Sequence, residues 1–248
     1  MNRVFEVMSN HRSVRKFEDK PINDQVLNDI FQVSQWASTS NNLQAYSVIT
    51  VRDPLKKEKL ALLTGNQKHV IECPVFLIFC ADLHKSLLCT KIEKKKGQFD
   101  TIEPFIVATV DVALYAQNVM LAAESEGLGG VYIGGIRNKP ADVCELLNIP
   151  DHVYPVFGMC LGYPDEMYMN EQKPRLPLRA IVHNESYQTE EELIQEIDVY
   201  NSTMRDYYAS RKNGNRSYSW SESVTDHFSE PKRLHLGEFL KSKKFGLK

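Results

Sequence analysis

The 248-residue chain has no CxxC pair, no GxxxxGK[ST] phosphate loop and no HExxH pair. Its five cysteines, Cys73, Cys80, Cys89, Cys144 and Cys160, form an odd, scattered set. That pattern excludes a disulfide scaffold and a zinc module, and predicts reduced thiols lying mostly in the core. No run approaches the roughly 18 apolar residues needed to span a bilayer, so a membrane protein is not expected. The start, MNRVFEVMSNHR, is interrupted by charge by position 6 and lacks the apolar stretch of a secretory signal, which points to a cytoplasmic protein. Excess charge is missing too: 30 Lys and Arg face 32 Asp and Glu, for a net charge of −2. The single lysine run, Lys94 to Lys96, has no aromatic beside it beyond Phe99, which argues against nucleic acid. No nucleophile–His–Asp arrangement is visible, and His69 has no second ligand at helical spacing, so no metal is expected. A chain without its own acid, base or metal machinery points to chemistry done by a bound cofactor.

What is present reads as alternating helices and strands. Val26, Leu27, Ile30, Phe31, Val33 and Ala37 fall three or four apart, predicting a helix over 23–37 with Asn23 as N-cap. Residues 46–53 read as a strand, Pro54 opens a charged helix to 64, and VFLIFCAD (75–82) suits a strand covered on both faces. Residues 84–104 are polar and basic, a mobile surface excursion. Residues 105–126 are apolar on nearly all sides and stop at Gly127, as a core helix or a dimer-interface helix would. A short strand GVYIGG, a helix near 140–148 and a strand over 153–163 follow. AIVHNESY offers a further short strand, residues 189–211 a charged helix, and the tail finishes helically at 235–245. The strands are too few for a doubly wound nucleotide fold, so an α+β sandwich fits.

Four constellations stand out. His11, Arg12, Ser13 and Arg15 gather phosphate-matching donors, although Arg12, Val14 and Lys16 alternate with Ser13, Arg15 and Phe17; a phosphate clamp and a solvated basic face both fit. Lys173-Pro-Arg175-Leu-Pro holds two cations at i and i+2 on an extended loop. Residues 38–44, STSNNLQ, offer small hydrogen-bonding side chains that suit a heterocycle edge or a plain turn. Gly127, Gly129 and Gly130 resemble a dinucleotide fingerprint, but the third glycine position is Tyr132 and the motif follows a helix. Close backbone approach to a flat ligand, or tight turns, explains those glycines better.

In order along the chain, HRSVRKF, ASTSNNLQAYSV, GNQKHV, AAESEGLGGVYIGGIRN, FGMCLGYPDE and KPRLP resemble the nitroreductase family, in its NADPH-dependent, oxygen-insensitive nitroreductase and flavin reductase branch. The resemblance runs from about residue 8 to 220. It implies a single α+β domain over 1–248, a three-layer sandwich with a mixed sheet flanked by helices, in an intertwined homodimer that binds FMN at its interface. A surface excursion at about 84–104 and a basic extension at about 203–248 complete that expected layout. By matching positions, His11, Arg12, Ser13 and Arg15 would hold the FMN phosphate and ribityl chain, with Lys173 and Arg175 closing on it. Ser38, Ser40, Asn42 and Gln44 would line the isoalloxazine, Gln67 would lie near the ring, and Tyr132, Ile133, Gly134 and Gly135 would pack on its face. Asn42 replaces an aromatic found in relatives, beside the expected substrate space. Lys16 or the Arg15 region would supply a positive charge to reduced flavin.

The basic excess of the chain falls after residue 202 and includes Arg211, Lys212 and Arg216. Arg211 and Arg216 match positions of an Arg-bearing loop in relatives of this branch, where cations would meet the NADPH 2′-phosphate, and a solvated loop fits as well. The resemblance thus implies an FMN-dependent NADPH oxidoreductase. Hydride would pass through flavin N5, in ping-pong order, to a small-molecule acceptor such as a nitroaromatic, a quinone or a flavin, with no protein residue acting as nucleophile. A reductase delivering reduced FMN to an oxygenase, and a low-turnover flavin sensor, share the same motifs.

Overall fold

The computed structural model describes residues 2–169, 171–211 and 218–246; Lys212 and Arg216 lie outside the described residues. In chain order the elements are α1 (Arg3–Ser9), α2 (Asp24–Ser34), β1 (Tyr46–Val51), α3 (Pro54–Leu63), α4 (Lys68–Glu72), β2 (Val75–Asp82) and α5 (His84–Ile92). They continue with α6 (Ile102–Ser125), β3 (Gly129–Ile133), α7 (Pro140–Leu146), β4 (Val153–Gly162), α8 (Glu190–Ser210), α9 (Trp220–Phe228) and α10 (Leu236–Ser242). Local chemistry starts several of them. The Asn23 side chain accepts from the Gln25 N–H at the head of α2, and Asp53 accepts from the Lys56 N–H just before Pro54 opens α3. Gly127, at φ 75°, ends α6 in the left-handed conformation that glycine adopts without cost.

The chain divides into two compact units. The first comprises Met1–Asn170 and Arg233–Lys248, and the second Glu171–Lys232. In the first unit the sheet order is β1-β2-β4-β3, with every neighbouring pair antiparallel. Among the described residues its parallel component is the bridge between Ser13 and Gly130. All eight residues of β2 are buried, as its continuous apolar run predicts. Phe79 of β2 meets Tyr115 of α6 on one face, with ring centroids 6.3 Å apart. Phe76, of opposite parity, lies over Gly158, where a Cβ would stand 2.4 Å from the ring, and close to Ile136. Helical layers therefore cover both faces of the sheet, the sandwich that the sequence led us to expect.

α6 corrects one expectation. By length and composition it is apolar enough to cross a membrane, a property hidden in the sequence because single polar residues, Thr109, Asp111, Gln117 and Asn118, interrupt the run. One face is packed: Ala108, Val112, Ala116, Val119 and Ala123 have no exposure. A second stripe, Ile102, Ile106, Val110 and Leu114, remains open in the single chain. Within the 84–104 excursion, residues 84–92 form α5, none of whose residues is buried.

The second unit is built on α8 and α9, each opened by a capping box, Thr189 with Glu192 and Ser219 with Glu222. Tyr200 and Trp220 meet edge to face at 5.7 Å and join the two helices. The short strand expected in AIVHNESY is absent. Residues 178–180 form a 3-10 turn, and a bond from the Ser186 N–H to the Asn184 carbonyl, with Glu185 at φ 62°, bends the chain instead of extending it.

Candidate functional site

The basic N-terminal segment is extended and pinned to the sheet edge. The Val14 N–H donates to the Gly130 carbonyl at 2.9 Å, and Glu18 donates to Tyr163 at 2.9 Å. Extended backbone sends successive side chains to opposite sides. Val14 is buried. Arg12 shares with it a cavity of about 380 Å³ that Arg3, Glu124, Gly129 and Pro164 also line. Arg15 lies on the other parity, where its charge acts on His69. His11 Nδ1 stands 2.6 Å from the Glu124 carboxylate. Lys16, one of the two sources expected for a charge at the flavin, is instead paired with Glu72 at 2.8 Å, which raises its pKa.

Around Arg15 the structure does bring expected residues together. His69 Nε2 is 2.9 Å from Gln67 Oε1, and Gln67 Nε2 donates to the Thr64 carbonyl at 2.8 Å. Gly135 closes on the same spot: a Cβ there would lie 2.3 Å from the Thr64 oxygen and 2.7 Å from Gln67 Nε2. Burial, and after it the Arg15 charge, pull the His69 pKa below its ordinary value. The buried Lys57 holds this segment from behind, its ammonium donating to the carbonyls of Ile71 and Cys73 at 2.9 and 2.6 Å.

β3 delivers Tyr132 to the surface and Ile133 to the interior, at 36% and 1% exposure. The Tyr132 ring stands edge-on to Phe157 at 5.2 Å, and its hydroxyl donates to Gln117 at 3.5 Å. Burial, and secondarily the Glu124 charge, raise its pKa, so the phenol keeps its proton. Gly134 follows, with Arg137 placed 3.3 Å from where a Cβ would stand.

The 38–44 segment forms a tight turn after α2. Asn41, Asn42 and Gln44 all have left-handed backbones, at φ 47°, 58° and 49°. Ser38 is exposed at its start. Ser40, Asn42 and Gln44 line a cavity of about 790 Å³ together with Lys85, Cys89, Phe99 and Glu103. The turn is tied to Asp111 of α6, whose two carboxylate oxygens accept the backbone N–H groups of Ser40 at 3.0 Å and Ala45 at 3.1 Å. Sequence reasoning passed over Asp111, although a carboxylate in the apolar middle of a helix, away from Glu103 and Glu124 near its ends, is the signal that marks it.

In the second unit Lys173 and Arg175 are exposed. Arg175 turns back to donate to the Lys173 carbonyl at 3.0 Å, and Lys173 lies 5.7 Å over the Tyr208 ring. Tyr200 donates to the Pro174 carbonyl at 2.8 Å, fixing the loop between the two cations. Arg211, just past α8, carries its guanidinium 5.7 Å over Tyr207.

The donor set of the first unit fits a flavin mononucleotide. Arg12, Ser13 and Arg15 are cationic and hydroxyl donors suited to a phosphate, and the amides of Gln67, Asn42 and Gln44 both donate and accept, as a pyrimidine edge requires.

Comparison with known proteins gives a concordant result. Residues 8–163 match the nitroreductase family, and residues 173–248 match the nitroreductase family, C-terminal domain. The chain is 40% identical over 248 residues to an FMN reductase (NADPH) of Bacillus subtilis, covering 99% of each chain. It is 38% identical over 241 residues to an oxygen-insensitive NADPH nitroreductase of Salmonella typhimurium, covering 97% of each. Among solved structures, NfrA1 of B. megaterium superposes with a TM-score of 0.95 at 42% identity, covering 99% of each chain.

Proposed function

Because the chain belongs to the nitroreductase family, we propose that its first unit assembles a flavin site from the 11–15 segment, the 38–44 turn, Gln67 and the end of β3. The protein is an FMN-dependent NADPH oxidoreductase. FMN held there would supply the two-electron redox chemistry that links NADPH oxidation to reduction of a small acceptor. The observation that carries the site reading is the convergence of Gln67, His69 and Gly135 beside Arg15. The 38–44 turn lines a separate cavity with Lys85, Cys89, Phe99 and Glu103, and would serve the flavin of a second copy across the dimer interface, as the family resemblance implies.

The residues divide the work by chemistry. Arg15, beside His69 and Gln67, and Ser13 are the donors the geometry offers the phosphate; Arg12 leaves the extended segment on the other side and is assigned to the phosphate by the family resemblance. His69 is held neutral by burial and by Arg15, so it orients Gln67 without adding a charge. Tyr132 keeps its phenolic proton and offers a fixed donor beside the β3 glycines. His11, Gly134 and Gly135 shape the remaining wall, whereas Ile133, expected from the resemblance to pack on the ring, turns its side chain into the core instead. Ser38 is assigned to the same wall, and Lys173 and Arg175 to the phosphate, by the family resemblance alone.

The exposed apolar stripe Ile102, Ile106, Val110 and Leu114 supports a homodimer, in which a second copy would cover it. Nitroaromatics, quinones and free flavin are the acceptors that we propose, with a ping-pong order and a cytoplasmic location. The relative named FMN reductase (NADPH) favours free flavin as one physiological acceptor, and comparing turnover of free FMN with that of nitro and quinone acceptors decides its rank. The main test is an absorption spectrum of the purified protein, before and after anaerobic NADPH. A yellow protein that bleaches is expected; a colourless protein that stays colourless with added FMN overturns the reading.

A further inference from the structure

Asp111 sits at 1% exposure in the middle of α6, among apolar residues on both sides. A buried carboxylate is tolerated only where its oxygens are satisfied. Here both are, one each by the Ser40 and Ala45 N–H groups, which bracket the turn. The turn needs such a tie. Three residues within four positions have left-handed backbones; Asn41 and Asn42 tolerate that conformation, but Gln44 adopts it only where the surroundings enforce it. Its own backbone hydrogen bonds are the Leu43 N–H to the Ser40 carbonyl and the Tyr46 N–H to the Gln44 carbonyl, both at 2.8 Å. The Gln44 side-chain amide adds only long bonds to the Asn42 carbonyl and Oδ1, at 3.4 and 3.3 Å. Beside it Tyr46 stacks on Tyr115 with centroids 4.4 Å apart, roofing the carboxylate from the sheet side. Tyr115 lies four residues on from Asp111, on the same face of α6. Asp111 itself lines none of the cavities described above, whereas every residue from Ser40 to Gln44 lines the large one.

We propose that Asp111 is a positioning residue for the flavin: it does not touch the cofactor, but fixes the strained 40–45 turn that aims Ser40, Asn42 and Gln44. The inference rests on the reading that this turn contacts FMN. A carboxylate is required because two donors converge on it. An asparagine would offer one acceptor oxygen and turn an amide donor against the second N–H.

The test compares wild-type protein with Asp111→Asn, a change that keeps the side-chain volume. Three quantities are read: the FMN dissociation constant from flavin fluorescence, the visible absorption band of the bound flavin, and hydrogen exchange at the Ser40 and Ala45 amides. Asp111→Asn is expected to raise the FMN dissociation constant threefold or more and to shift the flavin band. It should also speed exchange at both amides, while the packed face of α6 stays protected as in the wild type. A dissociation constant within threefold of wild type with an unshifted band overturns the proposal, even if the variant unfolds at a lower temperature. Should the variant not fold, the wild type decides alone. Slow exchange at Ser40 and Ala45 that slows further when FMN is added supports the proposal, and unprotected amides overturn it. If the wild type binds no FMN, the site reading fails on its own, and the exchange rates still report whether Asp111 ties the turn.

Discussion

The ammonium of Lys57 lies 2.6 Å from the Cys73 carbonyl oxygen and ties the C-terminal end of α4 to α3. α4 has only five residues, too few to hold its shape alone, and it directly follows Gln67. Lys57→Met keeps the aliphatic stem but strands two carbonyls, those of Ile71 and Cys73. We expect it to lower the unfolding free energy by about 2–3 kcal/mol, the scale of a lost charge-assisted bond. Urea unfolding monitored by circular dichroism reads this directly.

Acid should weaken the fold through two histidines. Burial holds the pKa of both His69 and His152 below the usual 6.5, helped at His69 by Arg15. The folded state thus favours the neutral rings, and unfolding takes up protons. The stability that they contribute is complete above pH 6.5 and is lost as the pH falls through the folded values. Denaturation midpoints measured from pH 7.5 down to 5 should fall less steeply in a His69→Gln, His152→Asn double variant than in wild type. Asparagine suits position 152, where φ is 59°. Parallel slopes would show that the rings do not titrate with unfolding.

Gly135→Ala places a methyl group 2.3 Å from the Thr64 oxygen. Backbone must shift to admit it, at a cost of about 1–3 kcal/mol for overpacking. Because the same methyl pushes against Gln67, the variant should also bind FMN more weakly. Thermal unfolding and flavin titration of one preparation separate the two effects.

Arg211→Ala should raise the KM for NADPH roughly ten- to hundredfold, as expected for one charged hydrogen bond, and spare NADH, which lacks the 2′-phosphate. Steady-state kinetics with both coenzymes at saturating acceptor provide the check. Equal changes for the two would remove Arg211 from the 2′-phosphate.

Much of this fold can be read from composition and spacing, for physical reasons that also mark where such reading stops. β2 was legible to the residue, because a continuous apolar run between Pro74 and a polar segment leaves little freedom. α6 was legible as a helix without a polar face, yet its two destinations, core and open stripe, depend on a sheet whose position the helix sequence does not encode. α1 and α9 went unnoticed among polar residues; Asn2 and the Ser219–Glu222 capping box mark their starts. Of the residues proposed for the site, Arg12 and Arg15 announced themselves as donors, while Gln67 rested on the family resemblance. Lys16 looked equally available, and only the fold reveals Glu72 beside it. Asp111 carried a signal as a carboxylate amid apolar residues, but its task did not: its partners are backbone groups 71 and 66 residues away, which carry no side-chain signature.

The complete burial of β2 also has a bearing on biosynthesis. β2 pairs with β1, made just before it, but its other edge waits for β4. At about 5–20 residues per second, the ribosome needs on the order of seconds to carry the chain from Asp82 to Gly162. During that interval an eight-residue strand, apolar from Val75 to Ala81, has one edge unpaired. The nascent chain is therefore most open to misassociation midway through its synthesis, and chaperone capture should peak on ribosomes that have released β2 but not yet β4.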